Sequence, residues 1–176
     1  MLEIILGIVV GISIILLICT IYNNRFQLAI IKIDKAEEDI DLCLDKKKEL
    51  LDRTRPIVQK ELKKDDFLPE LDISFEGFNN FEKHNKLKLA YNELFKTIDE
   101  NEKLLKSDSL VSILDSLNNN EESVIGAIKF YNDTVVEFNQ LIVSFPSCII
   151  AFFKRYKKKE FYNNEKREMF EILNEK

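Results

Sequence analysis

Residues 4–22 of this chain, IILGIVVGISIILLICTIY, carry no charge and consist almost wholly of Ile, Leu, Val and Gly. At about 1.5 Å of rise per residue a helix of this length spans roughly the hydrocarbon core of a bilayer. In lipid every backbone N–H and C=O must be satisfied within the segment, so a helix is the form available to it. A cleaved leader would show basic residues first, a shorter apolar run and small residues before the cut; this stretch shows none of these. Lipid attachment at Cys19 is disfavoured by the bulky Ile18 before it. Residues 1–23 are therefore read as a single-pass transmembrane anchor. Only Glu3 precedes the span, whereas Arg25, Lys32 and Lys35 follow it. By the tendency of Lys and Arg to stay inside, the rest of the chain is expected in the cytoplasm with the N-terminus outside. Gly7 and Gly11 form a G-x-x-x-G that would let two such helices approach and form a homo-oligomer. Glycine is common in membrane helices, and that plainer reading is favoured.

Beyond the anchor, apolar residues recur at helical spacing. Phe26, Ile30, Ile33, Ile40, Leu44, Leu51 and Val58 form a first stripe. Pro56 is expected to bend or interrupt its helix. Pro69 and Gly77 mark a break in DDFLPELDISFEGF, after which Leu87, Tyr91, Leu94, Ile98 and Leu105 form a second stripe. The third is the longest and keeps coiled-coil heptad spacing: Leu110, Leu114, Leu117, Val124, Ile128, Tyr131, Val135, Phe138, Ile142 and Phe145, with Asp108 as its cap. Glu121, beside Asn118, Asn119 and Asn120, interrupts it. A break or a frayed solvent face is favoured there over a buried polar register mark.

Gly (4) and Pro (3) are too scarce for a turn-rich β fold. The expected fold class is all-α: an N-terminal transmembrane helix, then an elongated antiparallel bundle of three long helices running up, down, up, plus a short C-terminal helix. The bundle occupies 24–161. Residues 162–176 form a polar tail that could itself be helical.

The third stripe stops abruptly in FNQLIVSFPSCIIAFF, because Pro146 has no N–H to donate and biases Phe145 away from helical angles. Ser147 is suited to cap a new helix, and Phe145, Ile149, Ile150, Phe152 and Phe153 would close the end of the bundle. This stretch resembles the C-terminal signature of the LemA family of small bacterial membrane proteins. Tyr131 and Asn132, then Asn139, then Ser144, Phe145, Pro146 and Ser147, then Ile149 and Ile150 match it in order. With the anchor and the Tyr22-Asn23 pair after it, the resemblance extends to about residue 161. Cys148 stands where the family usually has Asn, DRTRPIV matches its pattern around Pro56 loosely, and residues 63–102 match in helical character alone. The resemblance implies the helical fold and single-pass anchoring in a bacterial cell membrane. It implies no reaction and no catalytic residues.

The side chains agree. His84, the sole histidine, lies in the polar NNFEKHNK and reads as solvated rather than as a general base. The acidic cluster Glu37, Glu38 and Asp39 lacks the glycine-bearing loop of a calcium site. Cys19, Cys43 and Cys148 have neither metal-ligand nor disulfide spacing, and Cys148 reads as packed rather than reactive. No enzyme activity, cofactor or metal is expected. The net charge of −5 gives no general attraction to nucleic acid. Tyr131, Asn132 and Asn139 are expected to serve packing against a neighbouring helix rather than a contact surface. Two functions remain. One is a membrane-tethered scaffold for a protein partner not identified by the sequence. The alternative is a membrane-surface binder using the basic run 154–159, with Lys154, Arg155, Lys157, Lys158 and Lys159 as lipid or partner contacts. An upright up, down, up bundle disfavours the alternative, since its third helix would end about 40–60 Å from the bilayer.

Overall fold

The computed structural model describes residues 1–63, 66–75 and 77–162. They form four α-helices: α1 (Leu2–Leu62), α2 (Asn80–Glu100), α3 (Asp108–Val143) and α4 (Ser147–Lys154), with 3-10 turns at Pro69–Asp72 and Glu102–Lys106. The all-α class with its N-terminal apolar helix is borne out. The proposed tail, apart from Tyr162, lies outside the described residues. The chain falls into two compact units, Met1–Ala36 with Phe130–Lys176, and Glu37–Lys129.

The first part of α1 is long and apolar enough to cross a membrane, with a mean hydropathy of 3.1, and none of that stretch is buried by protein. A helix that is apolar on every side and uncovered by its own chain has the character of a membrane-spanning segment. Past Tyr22 the pattern narrows to one buried stripe. Phe26, Ala29, Ile33 and Ala36 are buried in the first unit, and Ile40, Leu44, Leu51 and Val58 in the second. Ala29 takes the inward place that the spacing assigns to Ile30, which is half-buried. Pro56 does not interrupt α1, which remains helical through it to Leu62.

In the second unit the helix directions differ from the up, down, up order. After α1 the chain turns back along it: Arg55 donates to the Phe67 carbonyl at 3.1 Å and holds Asp72 through two bonds of 2.7 and 2.8 Å. Phe67, Leu68 and Leu71 bury their side chains on the way, and Lys48 lies over the Phe75 ring. Only then does α2 begin, at a capping box in which Asn79 Oδ1 accepts from the Glu82 N–H and Glu82 Oε2 accepts from the Asn79 N–H. Asn80 donates to the Glu37 carbonyl, Lys83 reaches Asp41 and Asp45, and Lys47 lies over the Tyr91 ring. Later residues of α2 thus meet later residues of α1, so the two run parallel.

The described residues 66–75, which lie back along α1, are what permit this. A partly extended chain advances up to about 3.3 Å per residue, more than twice the rise of a helix, so it can retrace the upper part of α1. A short 3-10 turn then reverses the chain into α3, and Tyr91 donates to Asn118 Oδ1 at 3.1 Å across that hairpin. The order is up, up, down.

Local corrections follow. The 3-10 turn changes the register, so Leu104 is buried and Leu105 is exposed. The side chain at the start of α3 that accepts a backbone N–H, from Leu110 at 3.4 Å, is the Ser107 hydroxyl rather than the Asp108 carboxylate. Asp108 sits in the first turn, where a carboxylate favours the helix dipole. α3 is continuous through Asn118–Asn120, contrary to the favoured break or frayed face: Asn120 is buried and donates to the Cys43 carbonyl at 3.0 Å. Glu121 accepts from Lys47, whose side chain is 1% exposed, at 2.5 Å. The disfavoured polar register mark is the arrangement found.

Candidate functional site

The family-like residues gather in the first unit, where the end of α3 meets the part of α1 just past the apolar run. Phe138 packs edge-on against Phe26 at 5.9 Å, and Lys32 pairs with Glu137 at 3.3 Å. Earlier residues of α1 therefore face later residues of α3, and α3 descends toward the apolar run of α1. This removes the geometric objection to the basic run: the segment after α3 starts beside the exit of the span rather than far from it.

The corner itself spans Ser144, Phe145, Pro146 and Ser147, with a cis bond between Phe145 and Pro146. Ser147 is the first residue of α4 and does not cap it by side chain. Its buried hydroxyl instead donates to the Ser144 carbonyl at 2.9 Å, and the Cys148 N–H donates to the same oxygen at 2.8 Å. The two bonds tie the new helix to the last turn of the old one, and α4 leaves α3 at 94°. Only the face with Ser147 and Ala151 is turned inward. Phe145 is 82% exposed, Phe152 and Phe153 are each 78% exposed, and Ile149 is also exposed. The expectation that these residues close the end of the bundle is overturned: the face at 149, 152 and 153 points away from the protein, and only Ile150 of that set is half-buried. Cys148 is half-buried.

α4 ends at Arg155 in the left-handed conformation (φ 57°), with the Arg155 N–H on the Phe152 carbonyl and the Tyr156 N–H on the Ala151 carbonyl. This is the paired-bond helix stop usually built on glycine. It sends the chain back along α3 as a strap. Tyr156 anchors the strap, its ring 4.9 Å from Phe26 and 5.9 Å from Phe138, its hydroxyl accepting from Gln27. Asn139 reads the strap backbone in both directions, donating to the Lys159 carbonyl and accepting from the Lys159 N–H, each at 2.9 Å. The Tyr131 hydroxyl donates to the Glu160 carbonyl at 3.1 Å, and Asn132 Oδ1 accepts from the Tyr162 N–H at 2.8 Å. Burial raises the pKa of the Tyr162 phenol well above its ordinary value. Tyr131, Asn132 and Asn139 thus bond to the backbone of the strap rather than to a neighbouring helix. Lys154, Arg155, Lys157, Lys158 and Lys159 are exposed along α4's end and the strap.

A cleft of about 420 Å³ lies beside the corner, lined by Tyr22, Arg25, Leu28 and Lys32 of α1 and by Gln140, Ser144, Phe145 and Ser147 among the facing residues. Arg25 lies over the Tyr22 ring at 5.6 Å.

In the second unit the polar side chains close on one another. Lys83 Nζ lies 2.7 Å from Asp41 and 2.5 Å from Asp45. Burial works to lower its pKa, but the hydrogen bonds and charges of the two aspartates outweigh that and raise it. His84 is half-buried rather than solvated. Burial lowers its pKa, the Lys47 and Lys88 charges add to that, and Glu121 opposes it. Among the described residues, no group of three or more His, Cys, Asp or Glu is placed to hold a metal ion.

The model of the LemA family matches residues 72–172, more than half of the chain. The match takes in the whole corner and strap and begins within the return segment, so it covers α2 as well as the C-terminal pattern. No curated protein and no solved structure matches the chain.

Proposed function

Because this chain belongs to the LemA family, we propose that it is a non-enzymatic scaffold anchored in the cell membrane by α1, presenting its helical bundle to a protein partner on the cytoplasmic side. The observation that supports this reading most is the use of the signature's polar residues. Tyr131, Asn132 and Asn139 are directed at the backbone of the chain's own strap. Lys83 and Lys47, buried cations of the kind an active site would expose to substrate, are likewise engaged by Asp41, Asp45 and Glu121. Side chains used in this way fix a shape rather than turn over a substrate. Arg25, Lys32 and Lys35 after the span favour the cytoplasmic side.

Proximity labelling from the C-terminus in cells tests both parts. Cytosolic and inner-face neighbours are expected, and their recovery should fall when the exposed bundle residues Leu89 and Ile125 are changed to Asp with helicity unaltered. Predominantly extracytoplasmic neighbours would overturn the orientation. A neighbour set indifferent to these substitutions, and to others on the exposed helix faces, would overturn the scaffold.

A further inference from the structure

The geometry points to a lipid-binding site at the corner: α4 lies in the headgroup region of the membrane that α1 enters, and binds anionic lipid through its outward apolar face and the cations that follow it. The inference rests on α1 being a membrane anchor and is independent of the scaffold role.

The first observation is the inverted amphipathicity of α4. A short helix on a water-soluble bundle turns its apolar side inward, yet here Ser147 and Ala151 face the protein while Ile149, Phe152 and Phe153 face outward, joined by Phe145. An aromatic-rich apolar face of this kind marks an interaction surface.

The second observation is position. Phe145 and Ser147 line the same cleft as Tyr22 and Arg25, so the corner is level with the end of the apolar run. The third is direction. α3 runs antiparallel to α1 here, by the pairing of Lys32 with Glu137 and Phe26 with Phe138, and α4 turns off it by 94°. When α1 crosses the bilayer, a helix at a right angle to the bundle lies along the membrane plane. That is the attitude of an interfacial helix, whose apolar face enters the acyl boundary while its polar residues stay among headgroups.

The fourth observation selects the lipid. Lys154, Arg155, Lys157, Lys158 and Lys159 are exposed in a chain whose net charge is −5. Lys154 and Arg155 follow the apolar face directly, and Lys157, Lys158 and Lys159 come next where the strap sets off along α3. Cations near an anionic surface attract its headgroups over about a Debye length, and salt weakens the attraction. Phe152 and Phe153 at the apolar boundary with Lys154 and Arg155 directly after them reproduce the sequence of environments from acyl chain to headgroup. A soluble partner would have to compete with the bilayer for a surface held at its edge.

The chain contains no Trp, so a single introduced indole reports its own surroundings. The full-length protein, reconstituted in vesicles of phosphatidylcholine with or without phosphatidylglycerol, is prepared as Phe152→Trp, as Leu89→Trp on the bundle, and as Ile15→Trp within the span. Lipids brominated high on the acyl chain should quench the Phe152→Trp protein at least about twofold more than the Leu89→Trp protein. The excess should grow with phosphatidylglycerol, and should shrink in high salt or when Lys157, Lys158 and Lys159 are changed to Gln. Water-like emission from the Phe152→Trp protein without lipid quenching would overturn the proposal. So would blue-shifted emission without quenching, which would show a protein, a second copy included, covering the face. Quenching that ignores both salt and headgroup charge would overturn the anionic part. The Ile15→Trp protein separates failure of the site from failure of the anchor, since it loses quenching only in the second case.

Discussion

Replacing Lys47 with Met keeps a long unbranched side chain in place and removes the ammonium, with its charge and its hydrogen bond to Glu121. The ammonium is 2.5 Å from Glu121, with 1% of the lysine side chain exposed and 26% of the glutamate side chain, and it sits 4.7 Å from the centre of the Tyr91 ring. Breaking a buried pair from one side typically costs about 3–5 kcal/mol, because the remaining charge is left without compensation. Glu121 keeps partial access to water and can recover some hydration, which places Lys47→Met at the lower end, about 3 kcal/mol. With a urea dependence of about 2 kcal/mol per molar, the unfolding midpoint should fall by about 1.5 M. The assay is urea unfolding of the full chain in detergent micelles, followed by far-ultraviolet circular dichroism. The double variant Lys47→Met with Glu121→Leu should regain most of the loss, since an apolar replacement of a buried pair is often neutral or better. His84 provides a second readout: the Lys47 charge helps to hold its pKa down, so Lys47→Met should raise it in an NMR titration. A loss below about 0.5 kcal/mol with no coupling between the two positions would refute the reasoning, because exposed pairs behave that way.

Asn139→Ala removes two hydrogen bonds to Lys159. Water can replace part of each, so the cost should be about 1–2 kcal/mol, read most directly as faster hydrogen exchange at the Lys159 amide; unchanged protection there would show that Tyr156 alone holds the strap. The lowered pKa of His84 makes the pH dependence definite in sign. The unfolded chain binds a proton near the ordinary imidazole value of 6.5 and the folded chain only below it, so this stabilisation is full above that value and is lost as the pH falls toward the folded pKa. The urea midpoint should decrease from pH 7 to pH 5, and His84→Gln should flatten that slope; an equal slope in both would assign the effect elsewhere.

The apolar stripes were legible because burial obeys helical spacing. Phe26, Ile33, Ile40, Leu44, Leu51 and Val58 are all buried. The same spacing also points inward at Lys47 and Thr54, and both are buried; residue type, not position, hid them. A stripe names the face a helix buries but not the direction in which the helix runs. The segment 63–79 read as a break, and nothing in its composition distinguishes a tight reversal from a return along α1. Phe67, Leu68 and Leu71 were the available hint, since an exposed loop has no need of three large apolar residues. The direction of α3 followed from that error, and with it the height of the basic run. At the corner, Pro146 marked the end of α3 correctly, but apolar residues next to a bundle were assumed to face it. For Phe145, Phe152 and Phe153 that assumption fails, because α4 turns Ser147 and Ala151 inward instead. The bonds made by Tyr131, Asn132 and Asn139 were legible only as polar groups in need of partners. Backbone acceptors on a strap leave no side-chain pattern to recognise.

The account depends most on α3 ending beside the span rather than far from it. Spin labels at Leu28 and Gln140, which line one cleft, with Cys19, Cys43 and Cys148 replaced by Ala, test this in the full-length protein in lipid nanodiscs by pulsed dipolar spectroscopy. Packed helices about 8–10 Å apart with flexible labels on each should give a single short distance, under about 25 Å. A distance of about 40 Å or more, as an α3 running away from the membrane would give on helix-rise arithmetic, would contradict both the fold direction and the lipid site built on it.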